Sequence, residues 1–437
     1  MSDMFHIREH VVSGQHIREY ARATAHKQEE ALQLAVKQYV PKDNPDPQPG
    51  DITILASHAN GFVKELYEPL WEDLVHACRR QGVRVRAIWI ADTAWQGQSG
   101  ILNEHSLGSE PSWFDHSRDL LHLTNVFRAE MPRPLFGLGH SFGGSVLVHL
   151  AYMHPRLFSG LIMVDPVMSR RFRHGPLYGF QTMRASAGRR DLWPSRADAE
   201  RAIRKNKFYS MWDPRALDRM IKYGFRDCPT LVYPDKTEPA VTLTTSKHME
   251  CLTYYRPTHQ GPIDTATGKR TMDRSLILDA TSDVDEFPKF PFYQPPTAVI
   301  ASRIGELRPA VLWLAGENST VCTPETQEEK MELTGYGYGG SGGAKAGRVK
   351  EHIVKGVGHL VALERPTEVA DRAAVFIQDE VDRWRKEEEA YEREWVQGVA
   401  ARDKTVMSQE FRDLIDSVGP EANERRDGTV AGPTSKL

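Results

Sequence analysis

The chain has 437 residues, 56 basic and 59 acidic side chains, a formal net charge of −3 and an apolar content of 40%. That length suits one large core with insertions, and the near balance of charge argues against a nucleic-acid binder. Four scattered cysteines, Cys78, Cys228, Cys251 and Cys322, argue against a disulfide framework or a zinc site and fit a reducing compartment. No apolar run has transmembrane length and residues 1–10 lack an apolar signal core, so neither a membrane span nor secretion is expected.

In chain order, the pattern predicts two short strands at 5–12 and 15–20 around Ser13-Gly14. Residues 24–50 read as a polar connection, proline-rich over 41–49. A strand at 51–56, a helix at 64–81 ended by Gly82, a strand at 83–90 and a helix at 112–131 follow. Strands at 135–139 and 161–164 come next, the second ending at Asp165-Pro166. Apolar strands alternating with helices indicate a mostly parallel sheet covered by helices on both faces. The alternation stops near 167 and resumes with a strand at 309–316. The intervening 167–308 is mostly helix and loop, and over the C-terminal strand ends it would form a lid. Its first third is basic, with few acids facing its arginines. Residues 335–347 read as a flexible glycine-rich loop, 351–354 as a strand, and about 366–400 as a long charged helix. The division expected is a first core part at 1–166, the lid at 167–308, a second core part at 309–400 and a flexible tail at 401–437.

The strand at 135–139 runs into Gly139-His140-Ser141-Phe142-Gly143-Gly144 and then an apolar helical stretch. A G-x-S-x-G run between strand and helix is the setting of a nucleophile elbow, whose sharp turn holds the serine hydroxyl out at the sheet edge. Glycines flank it because side chains there would collide across the strained turn. The predicted architecture is therefore an α/β-hydrolase fold with a helical lid insertion. A serine needs a base, and in this fold the histidine follows the last strand. His359, within Gly358-His359-Leu360, satisfies that order. Backbone donors to an oxyanion are expected from Gly61 and Phe62, in the loop after the strand at 51–56, and from Phe142. There Gly61 would let the backbone approach the substrate, and His58 is read as a support of the loop. The acid has two candidates. Its usual position, three residues beyond the glycine that ends the strand after the lid, holds Ser319. Glu317 lies two residues too early, whereas Asp165 ends the neighbouring strand and is preferred. A serine nucleophile excludes the epoxide hydrolases and dehalogenases of this fold, which use aspartate. The chain closes with Ser435-Lys436-Leu437, a peroxisomal address read by an import receptor.

With these residues placed, the chain resembles the fungal peroxisomal α/β-hydrolases of secondary metabolism, which take in the acyl-CoA hydrolase of mycophenolic acid biosynthesis and the hydrolases of AK-type toxin clusters. The resemblance rests on Ser57-His-Ala-Asn-Gly-Phe62, Lys64-Glu65-Leu66-Tyr67-Glu68-Pro69-Leu70-Trp71, Gly139-His-Ser-Phe-Gly-Gly144, Val164-Asp165-Pro166, Gly358-His359 and the S-K-L end. It implies Asp165 as the acid and hydrolysis of acyl-CoA thioesters or related esters of specialised acyl chains. The expectation is a peroxisomal serine hydrolase with Ser141, His359 and Asp165 as its triad and no metal or organic cofactor. Arg170, Arg171 and Arg173 of the lid are candidates to hold the phosphates of CoA. A carboxylesterase or lipase, an acyltransferase, and a non-catalytic scaffold are the rival readings, and a homodimer is compatible with all of them.

Overall fold

The structure is a computed structural model that describes residues 4–170, 179–257, 261–269, 271, 291–293 and 295–418. Its first compact unit spans residues 1–381 and its second 382–437.

The first unit is built on an eight-stranded sheet. We number its strands β1 (Phe5–Ser13), β2 (Gln33–Pro41), β3 (Ile52–Ser57), β4 (Val85–Ala91), β5 (Leu135–His140), β6 (Gly160–Val164), β7 (Ala310–Gly316) and β8 (Val349–Val354). They lie in the order β1-β2-β4-β3-β5-β6-β7-β8. The pairs β1–β2 and β2–β4 are antiparallel and all others parallel. Alternate residues face opposite sides, as the pleat requires. Ile54, Phe136, Ile162 and Leu314 pack on one face with Leu70, Trp71 and Phe376. Leu55, Trp89, Leu161 and Trp313 pack on the other with Leu120, Val146 and Leu147. Both faces are buried, so these strands read as near-continuous apolar runs. Their register aligns Ser57 with Gly139, His140 with Val164, and Val164 with Leu314. The residues of interest thus gather along one edge of the sheet, at the strand C-termini.

Two expectations at the N-terminus are corrected. Residues 15–20 form no strand, and β1 pairs instead with β2, inside the segment read as a polar connection. Lys37 and Gln38 gave β2 a polar look, yet both are buried. Lys37 Nζ reaches Glu65 Oε1 at 3.1 Å, in a buried charge network with Lys64, Asp92 and Glu68. Lys64 Nζ is 2.6 Å from Asp92 Oδ2, and Glu68 accepts from Tyr39 Oη at 3.0 Å. Burial would lower the Lys64 pKa, but Asp92 and Glu65 hold it above the ordinary lysine range.

The segment 167–308, expected as a lid, contains among its described residues the helices Phe180–Gly188, Arg196–Lys205, Pro214–Tyr223, Lys247–Tyr254 and Pro295–Ser302. It also holds a three-stranded antiparallel sheet, with Val241–Leu243 between Leu192–Trp193 and Phe225–Asp227. Arg215 clamps Asp73 through two 2.8 Å hydrogen bonds, and Arg219 Nε reaches Glu68 at 2.6 Å. These pairs tie the lid helix Pro214–Tyr223 to the core helix Glu68–Arg80. The 335–347 segment, expected to be a flexible loop, is folded back on 304–307. Its Gly337 N donates to Gly305 O at 2.7 Å, Gly335 N to Ile304 O at 3.0 Å and Ser341 N to Leu307 O at 2.9 Å. A Cβ at Gly340 would stand 2.5 Å from Gly305 O, so close backbone approach, in addition to turning, explains glycine there.

Within the second unit, Gln409–Ser417 forms a helix capped by Ser408, where a flexible tail was expected. Phe411, Leu414 and Ile415 on it are exposed. Among the described residues no helix is long and apolar enough to cross a membrane.

The buried network generates a stability prediction. Lys64→Met leaves the buried Asp92 carboxylate without its cation and should cost about 3–5 kcal/mol. Lys64→Met with Asp92→Leu should cost less, because no charge is then stranded. Urea unfolding of the two variants and the wild type reads both values.

Candidate active site

Ser141 stands between β5 and the helix Phe142–Met153 with φ 56° and ψ −119°. Holding a non-glycine residue there costs on the order of 1–3 kcal/mol, so the surroundings must over-determine it. Its N–H donates to Val164 O at 2.9 Å, and its carbonyl accepts from Gly144 N at 3.1 Å and Val167 N at 3.3 Å. A Cβ at Gly143 would lie 2.2 Å from Ser57 O, one at Gly139 2.6 Å from Gly143 O, and one at Gly144 2.8 Å from Pro166 Cβ. The flanking glycines therefore let strand, helix and neighbouring loop meet at one point, with the helix N-terminus behind the serine.

The structure brings three of the predicted residues into one hydrogen-bonded line. His359 Nε2 is 2.8 Å from Ser141 Oγ, and His359 Nδ1 is 2.8 Å from Asp165 Oδ1. A carboxylate can only accept, so the proton of a neutral ring sits on Nδ1 and Nε2 is free to accept from the serine. Asp165 is fully buried and itself has a positive φ of 46°. Its Oδ2 accepts from Gly316 N at 2.9 Å and its Oδ1 from Ser319 Oγ at 2.6 Å. Burial pushes its pKa up, but His359, then Ser319 and the Gly316 amide, hold it below the ordinary carboxylate value. Gly316 also makes room for His359: a Cβ on it would lie 2.1 Å from Gly358 O, so the His359 loop can rest on the end of β7. Glu317 is not in this line. It is half-exposed, accepting from Lys355 Nζ and Gly356 N, each at 2.9 Å.

Two of the expected backbone donors, Gly61 and Phe62, are engaged elsewhere. Ala59–Phe62 is a tight turn closed by Phe62 N donating to Ala59 O at 3.2 Å, with Gly61 at φ 84°, the position a type II turn reserves for glycine. Gly61 N donates to Gln96 Oε1 at 2.8 Å. Both amides are thus committed inside the protein. The neighbour that approaches Gly61 is Glu250 of the lid helix Lys247–Tyr254, whose Cδ would be 2.6 Å from an added Cβ. The amides of Asn60 and of Phe142, the latter at the helix start, make no hydrogen bond within the described residues. His58 supports the loop as expected: Nδ1 donates to Ala59 O at 2.8 Å and Nε2 accepts from Thr93 N at 3.1 Å.

Several residues of this site escaped the sequence reading. Ser319 stands at the position where the acid was first looked for and donates to Asp165, a contact its place in the chain could have suggested. Gln96 and Asn60 clamp the turn to the lid: Gln96 Nε2 donates to Asn60 Oδ1 at 2.6 Å and to Thr253 Oγ1 at 3.1 Å, and Asn60 Nδ2 to Glu250 O at 3.1 Å. No local pattern points to them. Of the lid arginines, Arg170 is exposed, while Arg171 and Arg173 lie outside the described residues, as do Ser435, Lys436 and Leu437. The basic stretch has more acidic partners than expected. Arg189 pairs with Glu250, Arg196 with Asp227, Arg201 with Asp198, and Arg204 with Glu200 and Asp218.

An eight-stranded sheet of this order, with a serine on a strained strand-to-helix turn, defines an α/β-hydrolase. A family model described as the alpha/beta hydrolase family matches residues 54–372, and the chain belongs to that family and is a hydrolase. It is 40% identical over 434 residues to a type I acyl-CoA thioesterase, mpaH, of Penicillium roqueforti, covering 95% of this chain and 96% of that one. An abhydrolase domain-containing protein of Alternaria alternata, AFT2-1, is 27% identical over 259 residues, covering 58% of this chain and 87% of its own. Among solved structures, the peroxisomal alpha-beta-hydrolase Lpx1 of Saccharomyces cerevisiae shares the fold with a TM-score of 0.65 at 16% identity, covering 98% and 99% of the two chains.

Beside the serine, His140 is fully buried. Burial first, and then the nearby His359, push its pKa down to about 4. Protonating it favours the unfolded chain, where histidine titrates near pH 6.5. The folded state loses nothing by it above about pH 6.5 and progressively more as pH falls toward about 4. The wild type should therefore lose stability relative to His140→Gln between pH 7.5 and 4.5, by up to roughly 3 kcal/mol. Urea unfolding of both proteins at the two pH values checks this, and comparing them cancels the other titrating groups.

Proposed function

We propose that the chain is a serine hydrolase that cleaves acyl-CoA thioesters, working through Ser141, His359 and Asp165. The observation that carries the chemistry is the line Asp165–His359–Ser141 at 2.8 Å per link on a strained elbow. In this reading His359 Nε2 takes the Ser141 proton as Oγ attacks the acyl carbonyl, and Asp165 holds the Nδ1 proton and stabilises the imidazolium. The amides of Phe142 and Asn60 donate to the oxyanion, in place of those of Gly61 and Phe62. Collapse breaks the C–S bond, the departing thiolate takes the proton from the His359 imidazolium, and the acyl group is left on Ser141. Water, deprotonated by His359, then releases the acid.

The substrate class is supported by the 40% identity to a protein named as an acyl-CoA thioesterase, along nearly the whole of both chains. The paired lid arginines give it little independent support, since a cation already matched by a carboxylate has less to offer a phosphate. Of the three arginines expected to hold the phosphates, Arg170 is the one among the described residues, and it is exposed. The terminal Ser435-Lys436-Leu437 supports a peroxisomal address, and the receptor that reads it would be a partner of this chain.

Ser141→Ala should abolish turnover and covalent labelling by a fluorophosphonate while the protein stays folded. Asp165→Asn should lower kcat by on the order of 10⁴-fold, as the wrong tautomer does in other triads, and Glu317→Gln should change it little. Steady-state kinetics and labelling on the purified variants decide both; persistent labelling of Ser141→Ala would overturn the nucleophile.

Matched panels of acyl-CoA thioesters and simple esters of the same acids should show higher kcat/KM for the thioesters. Arg170→Ala should raise KM for acyl-CoA more than for the ester and weaken the salt dependence of KM. Equal kcat/KM on both panels would make the chain a general esterase. Deleting the last three residues should leave activity intact and shift a fluorescently tagged protein from peroxisomes to cytosol.

A further inference from the structure

The catalytic line leaves two buried side chains beside it unexplained: Tyr67, from the segment Lys64–Trp71, and His140, the variable residue of the G-x-S-x-G run. Their hydrogen bonds join two loops distant in sequence. Ala59 N lies 2.8 Å from Tyr67 Oη, Tyr67 Oη lies 2.9 Å from His140 Nδ1, and His140 Nε2 lies 3.0 Å from His359 O.

The chemistry of the groups permits one direction of donation along this chain. The Ala59 amide can only donate, so Tyr67 Oη accepts from it and has its own proton left for His140. His140 Nδ1 accepts that proton, so the neutral ring carries its hydrogen on Nε2 and donates it to the His359 carbonyl, which can only accept. Each hydrogen on the path has one place to go. Tyr67 and His140 are both almost wholly buried, so water does not compete for these bonds.

The two ends of the path matter. Ala59 opens the turn that holds Asn60, whose amide meets no acceptor among the described residues. His359 is the residue that must stand 2.8 Å from Ser141 Oγ. His140 is also bound by the ladder, in register with Val164, one residue before Asp165. Its ring is therefore a fixed strut between the sheet edge and the base loop, and Tyr67 extends that strut to the oxyanion side.

We propose that Tyr67 and His140 are positioning residues that set the spacing between the His359 loop and the oxyanion loop, through one directed chain of buried hydrogen bonds. The inference rests on the triad reading above. Neither side chain touches the reacting atoms. They act on the rate by holding the base and the donor loop at matched heights, and a displacement of order 1 Å at such a site can cost about 100-fold.

The test uses the full chain with Tyr67→Phe, His140→Leu and His140→Gln, each checked for folding by thermal melting. Tyr67→Phe should lower kcat about 10- to 100-fold with KM changed less than about threefold, the split expected of a misplaced catalytic group. His140→Gln, whose amide can still donate to His359 O, should keep at least about fivefold more kcat than His140→Leu. Tyr67→Phe combined with His140→Leu should be no slower than His140→Leu alone, because the two act through one chain. Unchanged kcat in folded Tyr67→Phe, a loss confined to KM, or equal kcat in the Gln and Leu variants would overturn the proposal. If His140→Leu does not fold, Tyr67→Phe still decides. A wild-type enzyme whose fluorophosphonate labelling does not depend on Ser141 would instead overturn the triad reading.

Discussion

Everything at this site depends on how closely the start of the helix after β5 approaches the end of β3. The contact is made by the missing side chain of Gly143, where even a methyl group would sit 2.2 Å from the Ser57 carbonyl and 2.6 Å from that of His58. That approach forces the chain to reverse at Ser141 within one residue and stores strain in its φ of 56°. It also aims the helix N-terminus at the space beside the serine and brings the Ser57–Phe62 loop alongside. The Ser57–Phe62 loop, Ser141 and a helix end become neighbours because three backbones meet where no Cβ fits.

Asp165 shows how a carboxylate can be brought to His359 from the strand beside β7. In β6, Val164 lies opposite Leu314 of β7, so the residues just beyond the two strand ends are close in space. Asp165 leaves β6 with positive φ, anchored by its own N–H on Leu314 O at 2.6 Å, and its carboxylate crosses to the end of β7. There it finds Gly316 N and the Ser319 hydroxyl, and Ser319 Oγ in turn accepts from the amides of Val321 and Cys322 at 3.1 and 3.0 Å. The turn that elsewhere would present a carboxylate presents a hydroxyl donor, which a carboxylate arriving from the next strand needs once it is buried.

The parts legible in the sequence were those whose signal is local. β3, β5, β6 and β7 carry near-continuous apolar runs because both sheet faces are covered, and the elbow glycines and His359 stand in short motifs with fixed chain order. β2 was not legible because Lys37 and Gln38 imitate a solvated segment, and the burial of Lys37 is compensated by Glu65 and Glu68, many residues away. The glycine-rich 335–347 segment misled for the opposite reason: composition signals freedom, while the partner that removes it, the backbone of 304–307, is remote in sequence. Gly61 was read as a glycine that lets the backbone approach the substrate, but the group that approaches it is a protein side chain remote in sequence. The answer, Glu250, comes from the lid.

That last point changes what the lid is. A cover would only shield the strand ends from water. Here the Lys247–Tyr254 helix supplies the Glu250 carbonyl to Asn60 and the Thr253 hydroxyl to both Gln96 and Trp95, at 3.1, 3.1 and 2.8 Å. Gln96 commits its oxygen to Gly61 N and its amide to Asn60. The turn that bears the Asn60 amide, which has no acceptor among the described residues, is therefore hydrogen-bonded on one side to the core and on the other to the inserted segment. Glu250, buried and with its pKa raised by that burial, is kept in place by Arg189 and by Ser186 Oγ at 2.5 Å, both from lid residues. The insertion thus builds one wall of the site, and the ion pairs that consume its arginines are part of holding that wall together. A segment whose charges are used this way reads from its sequence as a basic surface facing a ligand, although much of its charge is directed at its own carboxylates.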